Sequence, residues 1–163
     1  MVEQQSHKEL KASKYAYKFV MKKKYDDLQQ LFDKGLRLDA GLDAVDNTAL
    51  AIFCANLDLD GIERMLTLGA QMSDRNKNGW TPLHMLASVD HTGEATEWLL
   101  DIEGLESRGL DVDAASIGGV TPLMLAVKKG YLQVVCNLLN KRANPFKKDL
   151  LGKEPIEYKV ATN

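Results

Sequence analysis

Two cysteines, Cys54 and Cys136, are all that the 163 residues contain, too few for a disulfide framework. Both read as buried, reduced thiols packed like small apolar side chains. No apolar run approaches the length of about 18 residues that a bilayer span requires. The N-terminus lacks the apolar core of a secretory signal. Residues 1–24 are rich in lysine but hold no arginine and two glutamates, Glu3 and Glu9, a poor composition for a transit peptide. Cytoplasm is the default compartment; nucleus and an organelle matrix reached by uncleaved import stay open.

Catalytic motifs are absent too. There is no Walker A sequence, no Gly-x-Gly-x-x-Gly, no His-Glu-x-x-His, no Cys-x-x-Cys and no Gly-x-Ser-x-Gly. His91 stands in a turn with no second ligand at metal spacing, and His7 lies in the charged N-terminal stretch. Asn56-Leu57-Asp58-Leu59-Asp60-Gly61 resembles the start of a calcium loop. The twelfth position, however, is Thr67 where a bidentate glutamate is needed. It reads as a turn between helices. The sequence therefore points to a non-enzyme with no cofactor and no metal site.

Charge is present in quantity but unevenly. Residues 1–24 carry seven lysines against two acidic residues. Residues 128–163 carry eight basic residues against three acidic ones, so each end is at +5. The middle, 25–127, holds eighteen acidic and six basic residues, a net of −12. A nucleic-acid binder wants a continuous basic stripe, and this layout argues against one. Acidic groups on a protein partner would suit the two ends.

What the chain does have is a repeat. Thr121-Pro122-Leu123-Met124-Leu125-Ala126 begins a helix, with Thr121 as N-cap and Pro122 at the first helical position. Gly130 stops it. A second helix follows, its apolar face predicted to be Leu132, Val135, Leu138 and Leu139. Thr81-Pro82-Leu83-His84 repeats the opening 40 residues upstream, and Thr48-Ala49-Leu50 another 33 upstream. Glu154-Pro155-Ile156 echoes it 33 downstream. Gly35, Gly69, Gly109 and Arg142 mark the ends of the second helices in the same register. Arg142 stands where glycine is wanted, so that cap is expected to be reshaped.

A unit of about 33 residues with Thr-Pro-Leu-His in one copy resembles the ankyrin-repeat family. The resemblance covers roughly residues 12 to 160. It implies an all-α solenoid of stacked helix-turn-helix units with short hairpin loops. Residues 1–13 form an N-terminal tail, either frayed or a helical lead-in. Repeats follow at about 14–46, 47–79, 80–119 and 120–152, with a C-terminal half repeat at 153–163 reading as a cap. One extra residue falls between Leu36 and Asn47. Seven more fall in the third repeat, one near Asp90 and six over Asp101–Ser107. His84, at the family's histidine position, is expected to be a structural hydrogen-bonding residue.

Function follows from the same resemblance. It implies a non-catalytic protein–protein interaction module whose contact positions lie at the hairpin tips and on the open side of each first helix. Carried onto this sequence, those are Val45, Asn47, Lys77, Asn78, Trp80, Val89, Ile117, Val120, Lys128 and Lys129, with Leu150, Leu151 and Lys153 on the last tip. Val45, Trp80 and Val120 are expected to align as an apolar stripe bordered by lysines. Trp80 is either an aromatic anchor or a packing residue. Two roles remain open. One is a structural or accessory subunit of a hetero-complex, suggested by the fitted insertion, the atypical end copies and the absence of any attached domain. The other is a free adaptor or inhibitor that binds one target through its concave face.

Overall fold

The computed structural model describes the backbone of residues 2–158 and the side chains of residues 10–158. Among the described residues eight α-helices run in antiparallel pairs: α1 (Val2–Met21) with α2 (Tyr25–Asp33), α3 (Ala49–Ala55) with α4 (Leu59–Leu68), α5 (Pro82–Val89) with α6 (Glu94–Leu100), and α7 (Pro122–Lys129) with α8 (Leu132–Asn140). A 3-10 turn at Pro155–Glu157 begins the half repeat. There is no strand among the described residues. Of the two alternatives for the first 13 residues the helical lead-in is the one seen, because α1 runs through them from Val2 into the first repeat without a break.

Each pair starts and stops for local reasons. Thr48 Oγ1 accepts from the Ala51 amide at 3.3 Å, and Thr121 Oγ1 accepts from the Met124 amide at 3.3 Å. These side chains satisfy one of the amides that a helix start leaves without a partner. The second helices close with the same two bonds. Gly69 N donates to Leu66 O and Ala70 N to Met65 O, at 3.0 and 2.9 Å. Arg142 makes the equivalent bonds through its own amide and that of Ala143 while sitting at φ 66°. The cap is therefore kept rather than reshaped, at a backbone cost of about 1–2 kcal/mol.

The long third repeat reuses this closure. After α6 the chain turns at Asp101–Gly104, and a short 3-10 helix, Leu105–Arg108, follows. Leu110 N bonds Leu105 O, so Leu105 takes the place that Met65 and Leu138 hold in their repeats, and it is fully buried. Near Asp90 the extra residue makes room for a buried cap. The Asp90 carboxylate accepts from the Gly93 amide and from the amide and hydroxyl of Thr96, at 3.0, 2.7 and 2.7 Å.

The core is a seam. First helices stack on one another, α1 on α3, α3 on α5, α5 on α7 and α7 on the Pro155 turn. Leu50, Phe53, Leu83, Leu86, Leu123 and Ala126 lie between them. Cys54 is buried there, which pushes its thiol pKa up.

Two sequence expectations fail on α8. Cys136 is exposed rather than buried. Of the predicted face, Leu132 and Leu139 are exposed as well, whereas Leu138 is buried and Val135 packs against the core, with Val134 buried beside them. A helical period is met by either stripe. Asn137 is buried beside Val134 and Leu138, its Nδ2 donating to Gly93 O at 2.9 Å across to the start of α6.

Candidate protein-binding face

Between each second helix and the next first helix the chain makes a hairpin tip. A residue with positive φ turns each one: Asp46, Gly79, Gly119 and Gly152. One polar side chain organises each tip. Asn76 Oδ1 accepts from Asn78 N and Trp80 N, and Asp149 Oδ1 accepts from Leu151 N and Lys153 N. Asp43 and Ser116 serve their own tips in the same way.

Tips are joined edge to edge by a backbone ladder. Lys77 N donates to Val45 O, Ile117 N to Asn78 O, and Leu150 N to Gly118 O, at 2.9, 3.1 and 3.0 Å. Glycine is needed where the next tip presses in. A Cβ on Gly79 would lie 2.7 Å from Ile117 N, and one on Gly119 would lie 2.8 Å from Leu150 N.

This ladder fixes the register and corrects the expected stripe. Val45 shares its row with Asn78 and Gly118, whereas the row of Trp80 and Val120 contains Asn47. Asn47 is buried, and its Oδ1 accepts from Asn76 Nδ2 at 2.8 Å. Its side chain holds two tips together and is absent from the open surface. Val45 is exposed, two residues out of line with Trp80. Lys77 is exposed and reaches back, donating to Ala44 O at 3.0 Å and pairing with Asp46 at 3.3 Å. Asn78 and Ile117 are exposed at their tips.

Trp80 is half-buried, its ring stacked on His84 with centroids 6.0 Å apart and planes 24° apart. His84 in turn ties two repeats. Its Nδ1 faces the Thr81 amide and hydroxyl at 3.2 and 2.8 Å, both able to donate. The proton therefore sits on Nε2, which donates to Val120 O at 2.9 Å. Burial holds the imidazole pKa below its ordinary value, against the opposing pull of the Val120 carbonyl. Val120 is half-buried. Val89 is half-buried at the end of α5, and Lys128 and Lys129 are exposed at the end of α7.

A shallow groove of about 610 Å³ lies between α2 and α4, lined by Tyr25, Asp60, Glu63 and Arg64 among others. Arg64 covers the Tyr25 ring at 4.8 Å, and the Tyr25 hydroxyl donates to Asp58 at 2.9 Å. Asp58 also caps α4 through the Gly61 amide, so the stretch that resembled a calcium loop is the turn between α3 and α4. Among the described residues no group of three His, Cys, Asp or Glu side chains is placed to hold a metal ion, and no helix is long and apolar enough to cross a membrane.

A family profile described as Ankyrin repeats (3 copies) matches residues 50–149. The chain belongs to the ankyrin-repeat family. Its relatives include the Neurogenic locus notch homolog protein 1 of Mus musculus, 30% identical over 130 residues. That of Xenopus laevis is 27% identical over 136 residues, and the Neurogenic locus notch homolog protein 2 of Homo sapiens is 28% identical over 136. These alignments cover 80–83% of this chain but only 5% of each relative. Ankyrin repeats generally mediate protein–protein interaction.

Sequence reasoning named Leu150 and Leu151 as tip residues, and both are exposed. It missed Phe146 and Ile156, which are exposed beside them in sequence. For Ile156 the sequence signal points the other way, because it occupies the place of the buried Leu123 one repeat later.

Proposed function

We propose that this ankyrin stack is a structural or accessory subunit of a larger protein assembly, holding its neighbours through the tips, the concave side and the two ends. The observation that carries this is the placement of exposed apolar side chains. Leu10, Tyr15, Tyr17 and Met21 lie on α1, and Phe146, Leu150, Leu151 and Ile156 lie on the last layer. Between residues 22 and 116, Val45 is the large apolar residue that is exposed, while the fourth repeat adds Leu132 and Leu139 and the tip before it Ile117. A concentration of apolar surface marks a contact site, and a fixed subunit has neighbours on more than one side. Partners carrying acidic patches suit the basic charge of both ends.

Native mass tests this. The endogenous protein is expected to travel in a stable complex far larger than its own 18.1 kDa, with association weakening as salt rises. Recovery mainly as a monomer would replace this reading with that of a free adaptor or inhibitor.

A further inference from the structure

The last layer is built like an interior layer. Three rungs of the tip ladder use the carbonyls of Val45, Asn78 and Gly118 as acceptors. The next acceptor in that register is Leu151 O, and no described residue donates to it. The close contact that the next tip makes on Gly79 and Gly119 is missing at Gly152, where an added Cβ would meet nothing within 4 Å. Leu150 and Leu151 are 77% and 80% exposed. Ile156 is 83% exposed, whereas Leu50, Leu83 and Leu123 at the same place in earlier repeats are each 1% exposed. A capping layer would present polar side chains here. Of the polar side chains that the half repeat does carry, Glu157 is exposed, while Lys159 and Asn163 lie outside the described residues.

Charge says what fits. The acidic groups of this layer are already engaged. Asp149 is buried and takes the Tyr158 hydroxyl as well as two tip amides, Glu154 pairs with Lys148 at 3.6 Å, and Glu157 takes the Glu154 amide. Arg142 and Lys153 are exposed. Residues 128–163 carry a net charge of +5 and residues 1–24 the same, so two copies meeting end to end would repel. We propose that the last layer binds an acidic segment of a partner protein. That segment lays aliphatic side chains on Leu150, Leu151 and Ile156, its carboxylates lie near Arg142 and Lys153, and one of its amides donates to Leu151 O. This rests on the reading of the repeats as a protein-binding stack, and it adds a contact at the end of the stack, apart from the concave side.

The probe is a labelled peptide of about eight residues with alternating glutamate and leucine, within the usual length of a docked strand. Lysine–leucine and glutamate–serine peptides of equal length are the controls. With the full chain, the glutamate–leucine peptide is expected to bind at least about tenfold more tightly than either control. Amide shifts should centre on Gly118 and on Leu150–Gly152. The double variant Leu150→Asp/Leu151→Asp should lose about tenfold or more in affinity with its melting temperature held, while Trp80→Ala stays within about twofold. Equal binding of the lysine peptide, or no binding at all, would overturn the proposal. Shifts on the concave side with loss in Trp80→Ala would overturn it too, while leaving the protein-binding reading standing. Self-association of the chain alone, abolished by the double variant, would assign the surface to a second copy and overturn it as well.

Discussion

Leu123 and Ile156 stand at the same place in consecutive repeats, two residues past the capping position, yet one is sealed and the other is open to water. Their side chains have nearly the same volume and hydrophobicity. The difference lies in what packs on each: Leu123 is enclosed by the seam of stacked helices, whereas Ile156 sits on a 3-10 turn with its outer side bare. In a stack, burial is a property of the neighbouring layer as much as of the residue. The comparison breaks if the two positions respond alike to truncation. Leu123→Ala is expected to destabilise the protein by about 2–5 kcal/mol, because it opens a cavity in a dry seam. Ile156→Ala should fall within about 0.5 kcal/mol of the parent, as surface changes do. Urea melts of the two variants measure both.

The second expected effect separates the concave side from the end. Trp80 has its ring half-covered by the stack on His84, leaving part of it available to a partner. Trp80→Ala should weaken association with a partner on the concave side by about 2 kcal/mol or more if the ring is an anchor. A variant that loses melting temperature but keeps full affinity would show that the ring only packs. Measuring the same variant against a partner bound at the last layer sharpens the contrast, since that contact does not use the ring.

The repeat phase was legible in the sequence because caps are local chemistry. Thr48, Thr121 and the left-handed residues at Gly35, Gly69 and Gly109 act within a few residues of themselves, so their spacing could be counted without knowing the fold. The rows along the tips could have been counted as well. Val45 is three residues before Thr48, while Trp80 is one before Thr81, and the ladder puts them in different rows. The inward face of α8 was not legible. Leu139 stands where Leu66 is buried in the second repeat, but among the described residues no later second helix packs on it, so its exposure depends on a neighbouring layer that the helical period does not report. For the candidate site, residue identity was readable, but exposure was not: Asn47 looked like a contact and turned out to be a strut between tips.

Glycine makes a smaller and more local form of the comparison. Gly119 and Gly152 hold φ near 76° and 77°, so either one changed to alanine takes on the strain of a left-handed residue, about 1 kcal/mol or somewhat more. Gly119 carries a second penalty, because its Cβ would meet the Leu150 backbone at 2.8 Å and push the last tip away. Gly119→Ala is therefore expected to cost about 2 kcal/mol or more and Gly152→Ala about 1 kcal/mol. Equal costs would mean that the tips are free to separate, and that the ladder contributes little to holding the layers in register.

The smallest expected effect is a pH dependence that belongs to the interior layers, because His84 donates across to the next repeat and Met124, its counterpart in the fourth repeat, cannot. Met124 instead accepts from the Thr121 amide through sulfur at 3.4 Å. Burial lowers the His84 pKa, the Val120 carbonyl works the other way, Arg75 lowers it further and Asp111 raises it. With the folded value below the unfolded one, the unfolded chain takes up a proton first as pH falls. The contribution of His84 to stability is thus complete above the unfolded value of about 6.5, and is lost as pH drops through the lower folded value. Protonation also puts a hydrogen on Nδ1, where the Thr81 amide now donates, so that contact turns repulsive. The melting temperature should fall between about pH 7.5 and pH 5.5, and the fall should shrink in His84→Gln, which has no proton to gain. A wild-type curve flat across that window, or an equal fall in the variant, would mean that the bond between the third and fourth repeats does not depend on the charge of this ring.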